Sequence, residues 1–523
     1  MQVKRRTTSA ALAIAVISIP IFVGALDLTV VSAVLPQVLL DLEIPLSDFD
    51  NAAWIVTGYL LAYTVSMTFM GRLSDLHGRR RVFLAALIIF AVGSYLVAVS
   101  NAWPTRAAMQ GYYLVAGGRI DPARISLGVL IASRVIQAFG AGAMVPVGMA
   151  LVGDMFPPGR RAKPLGVIAA VDTAGWVVGH LYGGIIVRYW TWQTIFWLNL
   201  PVCGLAFGII WYALRDVNQP QREGKMDWIG AMLVTMSLTA FIVGLGTSAE
   251  SSSSTSLGEQ SALPPYVLPA LLVALVFMVL FVWRQMRIKF PLIELSLFRR
   301  PNLSLAITAN FLVGFGLFIA IANVPLFINT LVAVTPEQGA WESGWVLSAL
   351  TVPMAIAAVP GGWLTERTNY RLPAISGLIA AIVAFGLMTT WQQSSAYSVI
   401  IPQLMLAGIG FGFTLAPIAA AVVNASPEGY RGTGSALVII FRLLGMTAGV
   451  SSITTYGLYR MDVLATELLS ANATLIELAQ VGVSATEMVI SETFVIAGAA
   501  CLLAIVPSLF LKLSADIGNN SRD

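Results

Sequence analysis

Charged residues, cysteines and histidines are scarce in this sequence, and each scarcity excludes a class of protein. Only 11% of its 523 residues are charged, against 57% that are hydrophobic, whereas soluble domains carry about 25% charged residues. Two cysteines and two histidines are too few for most metal centres, and no HExxH or CxxC pattern occurs. The GxxxxGK[ST] loop and the GxSxG elbow are also missing. We therefore expect no cofactor, no metal site, no ATP motor and no hydrolytic enzyme.

Long apolar runs occupy most of the chain instead. The mean hydropathy is +0.82, and runs of roughly 20 residues, each able to cross a bilayer core as a helix, recur along its length. The start resembles a signal peptide, but the run continues to about Leu40 without a cleavage site, which indicates a retained first helix. We predict an all-α polytopic membrane protein with about 14 spans. They are placed at roughly 10–38, 52–73, 82–100, 126–150, 164–187, 194–214, 228–247, 264–284, 303–330, 343–365, 372–391, 398–424, 432–458 and 487–511.

The basic residues fall mostly on one side of these spans. When the direction of the spans alternates, roughly 23 of the 30 Lys and Arg residues lie in loops on the side of the N-terminus. The clusters 78–81, 159–163 and 284–289 all belong to that side. This asymmetry predicts that both termini are cytoplasmic, as in a bacterial inner-membrane protein. Because the basic residues are scattered between spans, nucleic acid is not an expected partner.

An internal repeat predicts the domain organisation. "GRLSDLHGRRR" follows the second span and "GWLTERTNYR" follows the tenth, with four positions in register: Gly71 with Gly362, Leu73 with Leu364, Asp75 with Glu366, and Arg80 with Arg371. Two six-helix halves with two additional central helices would place both segments at equivalent loops, and transporters are often built from such repeats. We predict an N-terminal bundle over 1–214, a central segment over 215–301 and a C-terminal bundle over 302–523.

Four motifs carry a resemblance to a known family. They are "LDLTVVSAVLP" (26–36), "GRLSDLHGRRR" (71–81), "RVIQAFGAGA" (134–143) and "GWVVGHLYGG" (175–184). In this order and spacing they resemble the motifs of the major facilitator superfamily, and within it the 14-helix drug:proton antiporters. The departures are Ser32 for the usual Asn, Ala138 for Gly, and His180 for Pro. "RLLGMTAGVSSITTYGLYRMD" further resembles a mycobacterial exporter branch that works with a partner lipoprotein and is linked to drugs and triacylglycerol-type lipids.

Four charged residues lie deep within predicted spans: Asp27, Arg134, Asp172 and Arg442. A charge at the bilayer centre costs about 2.5–3.5 kcal/mol even on the insertion scale, so each needs a partner, water or neutralisation. Asp27 and Arg134 fall at similar depth and form either a proton switch or a static packing pair. Asp172 is a second proton site, a contact for cationic cargo, or a residue facing a hydrated cavity. Arg442 has no acidic partner in its own half, which leaves an anionic headgroup, a carboxyl of the other half, or snorkelling.

The resemblance also implies a cytoplasmic gate and a glycine-rich packing face. In the family the first loop latches the cytoplasmic side, which assigns gate residues here and, through the repeat, in the second half: Gly71, Asp75, Arg79, Glu366 and Arg371. The fifth span carries its glycines along a predicted packing face: Gly175, Gly179, Gly183 and Gly184. His180 restores the backbone N–H that proline lacks and adds a titratable ring. Proton transfer and a hydrogen bond between helices are both open for it.

The segment after the thirteenth span, at about 457–487, spaces its apolar residues every three or four positions. It predicts two short amphipathic helices, or extensions of the flanking spans, that either shield a lipophilic cargo and dock a partner or rest on the outer leaflet. From all of this we expect a secondary exporter of amphiphilic or lipophilic compounds, of the multidrug efflux type, driven by proton antiport. Export of glycerolipids such as triacylglycerides to the outer leaflet is the alternative. A membrane-embedded sensor or enzyme is disfavoured, since neither a clustered His/Ser/Asp site nor a soluble signalling domain is present.

Overall fold

The structure is a computed structural model that describes residues 2–44, 49–116, 121–214, 224–251, 265–468 and 475–512. Within these residues the chain forms sixteen α-helices and no strand. The helices are α1 (Gln2–Asp41), α2 (Phe49–Ala52), α3 (Trp54–His77), α4 (Arg79–Ala98), α5 (Trp103–Ala116), α6 (Pro122–Met155), α7 (Ala162–Tyr189), α8 (Gln193–Ala213), α9 (Trp228–Ser251), α10 (Val267–Arg287), α11 (Pro301–Phe327), α12 (Pro336–Arg367), α13 (Arg371–Met388), α14 (Tyr397–Ala425), α15 (Arg431–Leu468) and α16 (Leu475–Leu509).

Fourteen helices in the described part of the chain are long and apolar enough to cross a membrane. They match the fourteen predicted spans one for one, so the prediction of an all-α polytopic protein is confirmed. The two remaining helices are α2, with 4 residues, and α5, with 14. The sequence analysis did not predict α5, because a helix of 14 residues is too short to span a bilayer and gives no long apolar run.

The helices form two six-helix bundles that pack in the same pattern. In the first half α1 packs on α7, α3 on α6, and α4 on α6 and α8. In the second half α11 packs on α15, α12 on α14, and α13 on α14 and α16. The two patterns coincide when each helix of the first half is matched in chain order with one of the second. The helices α9 and α10, which separate the halves in the sequence, pack on each other.

Glycines allow the helix backbones to approach closely within each bundle. A Cβ atom at Gly93 would overlap the backbone of Gln137, and one at Gly140 would overlap Phe90, so α4 and α6 are in direct backbone contact. Small residues serve this purpose in membrane proteins, where close van der Waals packing holds helices together. The "GIGFGF" segment of α14 likewise presents Gly408 to the backbone of α12. Gly410 and Gly412 also lie against neighbouring helix backbones, so the glycines of this segment are packing residues.

Two seams join the halves. In one seam α7 packs on α12 and α14, and in the other α15 packs on α3 and α6. The central helix α9 contacts both α3 and α15, so it covers the second seam from outside. We call the end of the bundle at which α3 ends and α4 begins the basic end, because the clusters 78–81, 159–163 and 284–289 lie there.

A capped ion pair holds the two central helices together at the basic end. Asp227 precedes α9 and accepts hydrogen bonds from the Gly230 N–H at 3.0 Å, from Arg284 at 2.8 and 2.9 Å, and from Gln285 at 2.9 Å. Burial opposes its ionisation, but the bonds from Arg284, Gly230 and Gln285 outweigh burial and lower the pKa of Asp227 below its usual value. The linker helices are thereby fixed as one hairpin.

At the opposite end, α15 and α16 are unusually long, with 38 and 35 residues. The apolar membrane core needs only about 20 residues, so both helices continue well beyond it. Arg460 of α15 pairs with Glu492 of α16 at 3.1 Å, which joins the two helices near this end. The segment predicted at 457–487 therefore consists of extensions of the flanking spans in its described residues; residues 469–474 lie outside them.

Candidate functional site

A buried ion pair links α1 to α6 inside the first half. Arg134 Nη1 donates to Asp27 Oδ2 at 2.5 Å, and its Nη2 donates to the Asp27 carbonyl oxygen at 3.3 Å. The side chains of Arg134 and Asp27 are 1% and 0% exposed. The guanidinium carbon lies 3.9 Å from the centre of the Tyr59 ring, a cation–π contact from α3. The structure thus brings together the two charges that the sequence placed at similar depth.

Neutral polar side chains complete this pair. Gln137 donates to Asp27 Oδ1 at 3.0 Å and to Ser94 Oγ at 2.8 Å, while Asn199 donates to the same two oxygens at 3.3 Å. The carboxylate therefore accepts bonds at both oxygens in a fully buried site. Protonation of Asp27 would remove the charge that balances Arg134 and would reorganise every bond in the cluster. Sequence reasoning missed Ser94, Gln137 and Asn199, although Gln137 follows Arg134 by three residues in the quoted motif.

A second intramembrane pair crosses between the halves. Arg442 of α15 donates through Nη2 to Asp172 Oδ2 of α7 at 3.2 Å. Among the alternatives left open for Arg442, its partner is therefore a carboxyl of the other half. The side chains of Arg442 and Asp172 retain 13% and 6% exposure, so this pair is less enclosed than Asp27 and Arg134. Gly314 of α11 lies against the Arg442 backbone and brings α15 close to its own bundle.

At the basic end, Asp75 of α3 caps the N-terminus of α15. Its carboxylate accepts the N–H groups of Gly432 and Thr433, both at 2.9 Å, and the Thr433 hydroxyl at 2.7 Å. A carboxylate at a helix N-terminus satisfies orphan N–H groups and balances the helix dipole. Gly71 lies one turn earlier, where a Cβ atom would be 2.7 Å from the Gly432 carbonyl oxygen. Arg79 pairs with Asp75 at 2.8 Å. The motif loop of the first half therefore holds α15 of the second.

The repeat reproduces this arrangement in reverse. Glu366 of α12 accepts the Lys163 N–H, in the first turn of α7, at 2.9 Å, and a Cβ atom at Gly362 would clash with the Ala162 carbonyl. Each half thus caps one helix of the other half. Arg371, the other predicted gate residue of the second half, donates from Nε to the Leu511 carbonyl at 2.7 Å, just beyond α16.

The gate role of Arg371 stays a prediction. Its repeat partner Arg80 makes the equivalent bond, donating to the Trp211 carbonyl in the last turn of α8 at 2.6 Å. Each arginine lies beside the C-terminal end of the final helix of its own half. There its positive charge balances the partial negative charge of the helix terminus. The repeat register therefore pairs Arg80 and Arg371, which have equivalent structural roles.

Two further contacts between the halves, which the sequence analysis missed, help to close the basic end. Arg431 donates to Asp154 Oδ1 at 2.8 Å, and Arg79 Nε lies 3.2 Å from Asp154 Oδ2. In the mirror position Arg161 donates to Asn424 Oδ1 at 2.6 Å. The signal was present in the sequence, since an Asp or Asn precedes an Arg by seven residues in both "DMFPPGRR" and "NASPEGYR". Asp154 has 1% side-chain exposure, so its carboxylate is buried between the two halves at the basic end.

The glycines of α7 do not all share one face. Gly175 packs on Ala25 and the backbone of α1, Gly179 packs on Thr29, and Gly183 is buried. Gly184 differs, because it is exposed and nothing lies within 4 Å of its Cβ position. Gly175, Gly179 and Gly183 are thus buried, whereas Gly184 lies off the predicted face, half a helical turn away from Gly175 (nine residues at 100° each). The backbone of residue 180 continues α7, and the His180 side chain lies outside the described part of the structure.

Comparison with known proteins decides the family. A statistical description of the Major Facilitator Superfamily matches residues 17–450. The chain belongs to this superfamily. It is therefore a multi-pass membrane transporter and not an enzyme. In the described residues no group of three His, Cys, Asp or Glu side chains could hold a metal ion.

Relatives within the major facilitator superfamily align over nearly the whole chain. A triacylglyceride transporter of Mycolicibacterium hassiacum is 27% identical, covering 100% of this chain and 95% of the relative. A triacylglyceride transporter of Mycobacterium tuberculosis is 29% identical, covering 95% and 93%. Among solved structures, a proton:xylose symporter matches with a TM-score of 0.58 at 12% identity, covering 94% and 95%. The human organic anion transporter MFSD10 matches at 0.57 and 14%, covering 94% and 99%. These structures share the fold.

Proposed function

We propose that this transporter exports glycerolipids of the triacylglyceride type and is driven by proton antiport. The observation that carries the coupling is the sealed pair of Asp27 and Arg134, with 0% and 1% side-chain exposure. A carboxylate in such a site ionises only because the guanidinium and the surrounding amides compensate it. The energy of that compensation depends on the conformation of the helices, so proton affinity and conformation are linked.

The proposed cargo is supported by the names of the relatives and by the composition of the membrane spans. The curated relatives are named triacylglyceride transporters. The described spans also hold few charged side chains that could bind a polar solute in place of its water. An apolar cargo does not need such polar contacts. Export of amphiphilic drugs by the same proton antiport is the second candidate. It is favoured by the resemblance of "GWVVGHLYGG" to the antiporter motif and by the packing of Gly175 and Gly179 on α1.

We place the basic end in the cytoplasm of a bacterial inner membrane, with both termini on that side, because basic loops remain cytoplasmic. The long ends of α15 and α16 then lie on the outer face. In the conformation described, each half caps a helix of the other half at the basic end. We infer that these reciprocal caps close the cytoplasmic side and that the transporter is open outward. A lipoprotein on the outer face is the partner we propose for these extensions, which offer a protein surface beyond the bilayer.

In the proposed cycle, a proton reaches Asp27 from the outer side and neutralises it. The bond to Arg134 then loses its ionic component, and α1 and α6 lose their strongest mutual contact. This loss favours rearrangement of the first half and opening at the basic end, where the proton leaves and cargo enters. One proton moving through 100 mV supplies about 2.3 kcal/mol, enough to change the ratio of two conformations about 50-fold.

The test is transport in vesicles of defined lipid with an imposed pH gradient. A fluorescent triacylglycerol and a fluorescent lipophilic cation are followed separately for the wild type and for Asp27→Asn. We expect gradient-driven movement of the triacylglycerol in the wild type and none in the variant. Asp41→Asn is the matched control, since Asp41 is a carboxyl of the same helix that bonds Trp192 away from the pair. Movement of the cation alone would select drug export, and unchanged movement in Asp27→Asn would refute the coupling role.

A further inference from the structure

The pair of Asp172 and Arg442 leaves two polar atoms without a partner. Asp172 Oδ1 and Arg442 Nε are both buried, and neither makes a hydrogen bond in the structure. Buried polar atoms are nearly always satisfied, so each of these atoms can take a hydrogen-bond partner that enters the site, whether water or a ligand. Here the two atoms are complementary in kind, because the carboxylate oxygen accepts a hydrogen bond and the guanidinium N–H donates one.

The position of the pair favours a ligand as that partner. Asp172 belongs to α7 and Arg442 to α15, so the two halves of the transporter each contribute one residue. Transporters of repeat construction bind their cargo between the halves near mid-membrane. The residual exposure of 6% and 13% shows that this pair, unlike Asp27 and Arg134, borders accessible space. Tyr63 of α3 is near enough to interact electrostatically with both charges, so three helices surround the site.

We propose that these two atoms bind the polar head of a glyceride that carries a free hydroxyl beside an ester. The hydroxyl would donate to Asp172 Oδ1, and the ester carbonyl would accept from Arg442 Nε. Diacylglycerols and monoacylglycerols have this combination. A triacylglycerol has only acceptors and leaves the Asp172 oxygen unsatisfied. A cationic amphiphile satisfies Asp172 but repels Arg442. The inference rests on the proposed function, since it specifies which glycerolipid this transporter binds best.

The experiment compares two ligands that differ in one group, in wild-type protein in lipid nanodiscs. The ligands are 1,2-dioleoylglycerol and its 3-O-methyl ether, which has the same ester groups but no hydroxyl donor. Each competes with a fluorescent trioleoylglycerol. Since a hydrogen bond to a charged group contributes about 1.5–3 kcal/mol, we expect the free hydroxyl to improve affinity at least about tenfold. In Asp172→Leu this preference should fall below about twofold, while the affinity for the ether is retained.

Two further variants keep the test interpretable. Asp172→Asn retains a neutral acceptor and a bond to Arg442, so it should fold normally and show an intermediate preference even if Asp172→Leu unfolds. Asp41→Leu, remote from the site, should keep the full preference. Equal affinity of the two ligands for the wild type would overturn the inference and leave glycerolipid export standing. A preference that persists in both Asp172 variants would also overturn it. Failure of every glycerolipid to bind would refute the proposed function itself.

Discussion

Neutralising Asp154 should open the basic end of the transporter. In the closed conformation its carboxylate lies between Arg431, at 2.8 Å, and Arg79, at 3.2 Å, with 1% side-chain exposure. In Asp154→Asn, Arg431 loses its buried counter-charge and keeps only the exposed Glu428, while Arg79 keeps only Asp75. Breaking a buried pair by removing one partner costs about 3–5 kcal/mol. When the seam opens, water solvates these arginines, so the cost falls on the closed state alone.

This cost translates into a large change of population. At about 1.4 kcal/mol per factor of ten, 3 kcal/mol changes the ratio of closed to open molecules more than 100-fold. A closed state favoured about 99 to 1 would become roughly equal to the open state. The population is measurable by electron–electron double resonance between spin labels at Gly159 and Thr368, one on each half. Both positions are exposed, and the native Cys203 and Cys501 are buried, so they should resist labelling.

The control uses the same arginine. Glu428 lies 3.7 Å from Arg431 but is 73% exposed, and exposed pairs contribute about 0–1 kcal/mol. Glu428→Gln should therefore leave the distance distribution nearly unchanged, whereas Asp154→Asn should add a longer component. An unchanged distribution in Asp154→Asn, or an equal change in both variants, would contradict the assignment of Asp154 as the buried counter-charge of the seam.

Two further predictions concern the glycines and the linker. Gly71→Ala should also populate the open basic end, because its Cβ would lie 2.7 Å from the Gly432 carbonyl oxygen and overpacking costs about 1–3 kcal/mol. Gly184→Ala, in open space, should not, and the same labels compare them. Asp227 has a lowered pKa, so its ionised form stabilises the fold above the ordinary Asp value and this stability is lost as the pH falls through the lowered value. The melting temperatures of wild type and Asp227→Asn should therefore differ at pH 6 and converge below about pH 3.9, and a constant difference would argue against an ionised Asp227.

The architecture could be predicted from the sequence because its signals are local. A membrane span is a continuous apolar run, and basic loops repeat at intervals, so fourteen spans and two repeated halves follow without any knowledge of contacts. The meeting of Asp27 with Arg134 was also predictable, because unpaired charges at depth are costly and only four lay there. Arg442 was harder. Its partner Asp172 lies 270 residues away in the other half, and spacing within a sequence gives no information on which helices of two bundles face each other.

The missed residues share a different reason. Asn199, Ser94 and Asn424 are neutral, and a neutral polar side chain in a span is common enough that nothing distinguishes it before its neighbours are known. Asp154 was missed because it lies at the end of a span, where a charge is ordinarily solvated. Its burial results from contact between the two halves. Gly184 shows the opposite error, in which a residue was given a motif's role although helical geometry places it on another face.

The length of α15 has a mechanical consequence. The helix runs from Arg431 to Leu468, and its pair with Asp172 at Arg442 divides it into unequal arms of about 17 Å and 39 Å at 1.5 Å per residue. No proline interrupts it in this range. A rigid rod turning about that point works as a lever, so a tilt of 10° would move the far tip by about 7 Å and the capped end by about 3 Å. Small displacements at the sealed end would therefore be amplified more than twofold at the opposite tip.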